Sequence, residues 1–495
     1  MSPHRLITVR RYKVSNDVLI LILANLDPPS LWRACKAFRR IYVLVMEFQP
    51  LLYIFELAIA GMRDGPAPHS YKPSITRLQL LISYRKDWPR LNWTHENKMT
   101  IPGNSRAGVS GGFLYQIRAH HNSQYTLELA ELPSCRTNRP PSLTRHIRFI
   151  TPQIGYVAID CAQSLIVTGH AFSGQNGDIG VRLQIRDLWT FNKHPRSPTF
   201  IYDFSAGGPN PIFNMPIVIC GDKLAISLEF TGAKTKHLIL NWRDISQARW
   251  LDDQDIHFLN SNYLLVVKRS RGVPVLNIYN ISKIDAVTVE REYELPELWM
   301  NSIIEFVPNT APLADEASSP EALFYPDPSI RVLLISAKTP VMGSAPVRNW
   351  LFINESYFRP TSRRDRLRVS WKQWCEYCVI RDFSPNTIIH GPRIISNRVL
   401  YVESDAIRPS SRGGGYVSAP HLNIIDFAPY PDSANRVEHA WSLLGPRTLL
   451  VPNELSREIP AMTPVEDVGV TEDNIVVFHV KPINILTFGV PKVRH

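Results

Sequence analysis

Three short constellations in this chain carry residue types that can do chemistry. Gly108-Val109-Ser110-Gly111-Gly112 matches G-x-S-x-G, the turn that presents a nucleophilic serine above a sheet. That use needs a strand before the serine and a helix after it. Here a polar loop, 102–107, comes first and an apolar strand, 113–117, follows, so the segment reads as a flexible turn. His120-His121 lacks the HExxH spacing that would set two metal ligands on one helix face. Cys375 and Cys378 form one CxxC, whereas structural zinc commonly takes two such pairs, and His390 is a poor substitute for the second. The acidic pairs Asp252-Asp253 and Glu466-Asp467 read as loop charges, because paired-carboxylate hydrolysis depends on a set separation in space. No phosphate-binding or dinucleotide fingerprint is present, since GAKTKH at 232–237 lacks the leading glycine spacing. The expectation is a chain without catalysis, metal or cofactor of its own.

Composition narrows the class. With 495 residues, 44% apolar and 20% charged, the chain has the balance of folded domains and ample material for a core. Its formal net charge of +11 invites a nucleic-acid reading. The positive residues are scattered, however, with only small clusters at Arg10-Arg11-Lys13 and Arg363-Arg364-Asp365-Arg366. Nucleic acid is therefore disfavoured as a partner, and an acidic protein partner is preferred. Six dispersed cysteines suit a reducing compartment. The apolar run 18–24 sits at the short limit of a signal-peptide core, abuts Asp17 and is followed by Asn25-Leu26-Asp27-Pro28 in place of a small-residue cleavage site, and no run approaches a membrane span. An intracellular protein, cytoplasmic or nuclear, is expected.

The elements that must position any function divide in two. Ser15, Asn16 and Asp17 offer capping oxygens to an apolar helix that ends before Pro28-Pro29. A helix apolar on every side calls for burial on every side. Asp27-Pro28 then opens a stripe of Leu31, Cys35, Phe38, Tyr42 and Val45, which marks one helix or two joined by a bend. Gln49-Pro50 starts a further helix that stops at Gly61, and Ser74 caps an amphipathic stretch through Trp88.

From about residue 105 the texture becomes short apolar strands between turns. Seven pairs recur: 113–117 with YTLELAEL, 165–169 with VRLQIRDLW, 224–230 with HLILNWRDI, 263–268 with VLNIYNI, 331–337 with NWLFINES, 398–404 with HLNIIDF, and 474–480 with INILTFG. Each is a meander that cannot bury both faces alone, and radial stacking of such units makes a propeller. Two β-sandwiches are the alternative architecture. The long loops 308–328 and 410–418 are where such a scaffold would carry binding specificity.

Residues 14–41, VSNDVLILILANLDPPSLWRACKAFRRI, resemble the F-box. Leu19, Ile22 and Leu23 match its apolar helix, Leu26-Asp27-Pro28 and Leu31 its central turn, and Cys35-Lys36-Ala37-Phe38-Arg39 its closing motif. Val14-Ser15-Asn16-Asp17 stands where the family has Leu-Pro-x-Glu, and Ala34 where valine is usual. The continuation through 56–66, 77–81 and 88–93 looks like a group of fungal F-box proteins with long β-rich C-terminal regions. The resemblance implies an α+β multidomain chain. A small all-α F-box module (14–48) and a helical linker (49–100) precede a large all-β, propeller-like domain (105–495). It also implies docking on a Skp1-like adaptor within a cullin ubiquitin ligase, through Leu19, Ile22, Leu23, Leu26, Pro28, Leu31, Cys35 and Phe38. The β domain would capture an unknown protein substrate. The same apolar residues could instead pack against the helices that follow, and some must do both. A scaffold that no longer binds Skp1 and a propeller-type hydrolase are the other functions considered.

Overall fold

A computed structural model describes residues 14–489, apart from short loop stretches and the longer segments 406–419 and 428–451. Five helices come first: α1 (Asn16–Ala24), α2 (Pro28–Ala37), α3 (Arg39–Glu47), α4 (Gln49–Ala60) and α5 (Ser74–Asp87). Ser15 caps α1 and Asp27 caps α2, accepting from the Ser30 N–H at 3.0 Å and the Ser30 hydroxyl at 2.7 Å. Gly61 ends α4 in the left-handed region, at φ 64°. The stripe from Leu31 to Val45 is two helices, broken where Phe38 adopts an extended conformation with no proline or glycine to mark it. The cap of α5 also differs from the expectation: Pro73 holds that position and Ser74 is already helical.

Seven four-stranded antiparallel blades follow, at 105–151, 156–205, 212–251, 255–294, 303–383, 387–458 and 465–487. The third and fourth each gain one extra strand. The seven strand pairs read from the sequence are the second and third strands of the seven blades. Those strands press both faces against neighbouring blades, which is why Leu264–Val267 and Ile475–Val477 are wholly buried and read as apolar runs. The outer strand of blade seven comes from the other end of the propeller sequence. His95–Met99 pairs antiparallel with Ile483–Thr487 and closes the ring. The β domain therefore begins at residue 95, inside the span expected to be a helical linker. HENKM is short and polar, with one side towards solvent, so its strand identity comes from its partner.

Nor is 49–100 a tether. Trp88 stacks on Phe488 with centroids 4.1 Å apart, and Leu57, Leu81 and Tyr84 share a core with Leu400, Leu422 and Ile475 of blades six and seven. The last part of the loop 308–328, which was expected to carry binding specificity, straps the helices down. Its strand Phe324–Pro326 pairs antiparallel with Met62–Asp64. The fully buried Arg77 donates to Asp64 Oδ1 at 2.9 Å and to the carbonyls of Leu323, Ala67 and Lys72, so its charge is paired and its donors are used. Loop 410–418 and both basic clusters noted in the sequence lie outside the described residues.

Candidate functional site

The residues of the F-box-like segment separate into two sets. Leu23, Leu31 and Cys35 are buried with Val45, Leu51 and Phe55 in a small core made by α1 to α4. Leu31 and Cys35, four apart on α2, turn inward together, so their expected place on a partner surface is corrected: they hold the module's shape. Burial pushes the Cys35 thiol up to about 11, as befits an inert core cysteine. Leu19, Leu26 and Pro28 are half-buried along the seam.

Ile22 and Phe38 face outward, 52% and 60% exposed. Sequence reasoning overlooked their neighbours. Val18 and Leu21 are exposed on the same side of α1 as Ile22, at spacings of three and four, and Val14 is exposed just before the helix. Tyr42 and Val43 continue the surface on α3. Arg40 binds the two helices together at their starts, donating to the Val14 carbonyl and to Asn16 Oδ1, each at 2.7 Å. The apolar character of α1 was legible, but burial on every side was the wrong consequence: only Leu23 is buried, and the other side stands open. The 18–21–22 stripe was the signal that could have found it.

Local chemistry around Phe38 is strained in a telling way. Lys36, Arg39 and Arg40 are exposed beside it, and α3 starts with two cations and no capping side chain. A helix N-terminus disfavours positive charge by about 0.3–1 kcal/mol per residue. Such local conflicts collect at sites kept for binding.

The second candidate is the central channel, about 1500 Å³, lined by the inner strands. Several of its ionisable groups are engaged within the fold. Arg331 pairs with Glu355 at 3.1 Å, and His257 Nε2 meets the same carboxylate at 3.1 Å. Burial raises the Glu355 pKa, but the Arg331 charge and the His257 hydrogen bond outweigh it, leaving the net shift downward. Arg136 holds Asp473 at 3.1 Å. Asp255 accepts from the Ile256 and Phe306 amides, and its burial pushes it up to about 7.

Parts of the three short motifs are engaged within the fold. Ser105–Ser110 is a strand, where a loop was expected, and the Gly111-Gly112 turn leads to another strand. Ser110 Oγ accepts from the Ile159 amide at 2.9 Å, which ties blade one to blade two. His120 Nε2 lies 2.6 Å from Thr126 Oγ1, and His121 is outside the described residues. The Cys375 and Cys378 thiols point to the Lys372 and Trp374 carbonyls. Among the described residues no group of three His, Cys, Asp or Glu is placed to hold a metal, and no single helix is long and apolar enough to cross a membrane.

No protein-family model and no curated protein sequence matches the chain. Among solved structures it is similar to the WD40 domain of SCAP from fission yeast, at 8% identity and TM-score 0.37, covering 80% of this chain and 84% of that one. An uncharacterised Listeria monocytogenes protein matches at 9% identity and TM-score 0.40, covering 76% and 94%. A puromycin hydrolase mutant matches at 10% and 0.33, covering 67% and 46%. The assignment as a seven-bladed β-propeller rests on the strand pairing itself.

Proposed function

We propose that the chain is a non-catalytic adaptor whose N-terminal helices dock on a Skp1-like protein of a cullin ubiquitin ligase while the propeller holds a protein substrate. The carrying observation is the bare apolar face of α1 and the α2–α3 junction, on a module whose opposite end is cemented into the propeller. Contiguous exposed apolar surface with a polar rim is the mark of an interaction site. The F-box resemblance of residues 14–41, which carries Ile22 and Phe38 of this face, supplies the partner. In this reading the adaptor contributes proximity, raising the effective concentration of substrate lysines near the ligase.

The test uses the full chain, because Tyr84 and Trp88 need blades six and seven. Purified Skp1 is captured by the native protein and by an Ile22→Asp/Phe38→Asp variant, both with melting curves. Capture by the native chain and loss by an equally stable variant supports the reading. Failure of the folded native chain to capture Skp1 removes the ligase assignment and leaves a scaffold.

A further inference from the structure

Adaptor function makes no use of the CxxC at Cys375-Glu376-Tyr377-Cys378. The fold places it in the loop between the third and fourth strands of blade five. There the short helix Trp371–Trp374 runs straight into a 3₁₀ turn, Cys375–Tyr377, and Cys378 opens the fourth strand. The Cys378 N–H donates to the Cys375 carbonyl and closes that turn. A 3₁₀ turn rises about 2 Å per residue and eclipses the side chains at i and i+3. Positions 375 and 378 are so related, which sets their Cα atoms about 6 Å apart, inside the span that a disulfide bridges.

Both ends of the turn are anchored. Ser370 and Gln373 form a capping box at the start of the short helix. Trp374 is fully buried, and its Nε1 donates to the Glu294 carbonyl of blade four at 2.9 Å. Cys378 pairs with Ile353 in the ladder of blade five. Tyr377, between them, lies against the Tyr357 ring with centroids 5.0 Å apart. The native fold therefore holds the two cysteines within reach of each other.

The two thiols differ in their surroundings. Cys375 Sγ points to the Lys372 carbonyl at 3.7 Å on the exposed side of the turn. Cys378 Sγ points to the Trp374 carbonyl at 3.6 Å and packs against the core between blades four and five. Burial pushes the Cys378 thiol well up, and the adjacent Cys375 sulfur adds to the shift. A thiol is a weak donor, so neither contact is costly to give up. The remaining cysteines offer no such pair. Cys35, Cys135 and Cys220 are buried, and the half-buried Cys161 donates to the Gly111 carbonyl at 2.7 Å.

We infer that, apart from any adaptor role, Cys375 and Cys378 form a reversible dithiol–disulfide site that responds to small disulfides such as glutathione disulfide. The Cys375 thiolate attacks one sulfur of the small disulfide and expels one thiolate, leaving a mixed disulfide. The Cys378 thiolate then attacks the Cys375 sulfur and expels the second. The two cysteine protons end on the two departing thiols, and one external disulfide is reduced as the Cys375–Cys378 bond forms. Access sets the order, because the Cys375 sulfur is reachable from solvent and the Cys378 sulfur lies deeper. Closure draws both sulfurs off their carbonyls and acts on the turn that carries Trp374 and Tyr377 into the seam between blades four and five.

The full chain is equilibrated in buffers of rising glutathione disulfide over glutathione, quenched in acid, alkylated with iodoacetamide in denaturant and mapped by peptide mass. The expected result is joint loss of alkylation at Cys375 and Cys378 in a peptide two hydrogens lighter, with full return in dithiothreitol. Cys35, Cys135 and Cys220 are expected to stay reduced, which reports that the chain remains folded throughout. Cys378→Ser is expected to stop at the first step, with glutathione joined to Cys375, and Cys375→Ser to leave Cys378 alkylatable at the same ratio. Full alkylation of both cysteines in excess glutathione disulfide would overturn the inference. So would separate glutathione adducts on each cysteine of the native chain, or closure that occurs only together with oxidation of the buried cysteines.

Discussion

The helices nearest the propeller and those farthest from it treat the same residue types in opposite ways. At the inner end Tyr84, Trp88 and Arg77 are fully buried, and each polar group finds a partner across the interface. At the outer end Val18, Leu21, Ile22 and Phe38 are exposed, beside a helix start that carries two arginines and no capping side chain. One short module thus meets one neighbour with saturated packing and presents a second face with none. A sequence able to satisfy its inner surface so fully had the means to make the outer one polar. The proposed docking on a protein partner draws on that difference.

The comparison can be broken most directly at Trp88. Trp88→Ala removes the ring stacked on Phe488, and a loss of about 3–5 kcal/mol is expected in urea unfolding. A loss under about 1 kcal/mol would mean the helices are not cemented to the ring. Leu31→Ala empties the outer module's small core and is expected to cost about 2–5 kcal/mol. If Leu31→Ala proves neutral while abolishing Skp1 capture, Leu31 belongs to the docking face after all. Asp27→Ala removes the α2 cap, at about 1 kcal/mol in the same assay. Phe38→Ala is expected within about 0.5 kcal/mol of the native chain in stability, yet to weaken Skp1 capture markedly.

Two aspartates sharpen the contrast between module and propeller through pH. The Ser30 hydroxyl, with help from the Ser30 amide, holds the Asp27 pKa below its ordinary value. Its stabilising share is present above the unfolded carboxylate range and is lost as pH falls through the folded value. Asp255 is the reverse, since burial lifts it to about 7. Between the ordinary carboxylate range and about 7 the folded chain binds the extra proton, so stability declines as pH rises across that window. Asp255→Asn is expected to flatten the fall in melting temperature between about pH 5 and 8, and Asp27→Asn to flatten the fall below about pH 4. Unchanged slopes in both variants would show that neither group differs between the folded and unfolded chain.

Much of the architecture was legible because it is written in short-range patterns. Ser15 and Asp27 as caps, Gly61 as a stop and the seven apolar strand pairs each depend on a few adjacent residues. The docking segment was legible as a segment, but its division was not. Leu31 and Phe38 belong to one apolar stripe in sequence, and the break at Phe38 sends the first inward and the second outward.

The sequence by itself determined that a helical unit precedes a β body of seven repeating meanders, since local periodicity and capping follow from neighbours along the chain. Only the tertiary structure decided that His95–Met99 is a strand, that Phe324–Pro326 straps the helices and that Leu57, Leu81, Tyr84 and Trp88 form an interface with the propeller. Each of these depends on pairing with residues far away in the chain, such as Thr487 for His95 and Pro326 for Met62, and no local pattern carries that information. Whether an apolar side chain is core or surface was settled the same way, by what else the fold brings against it.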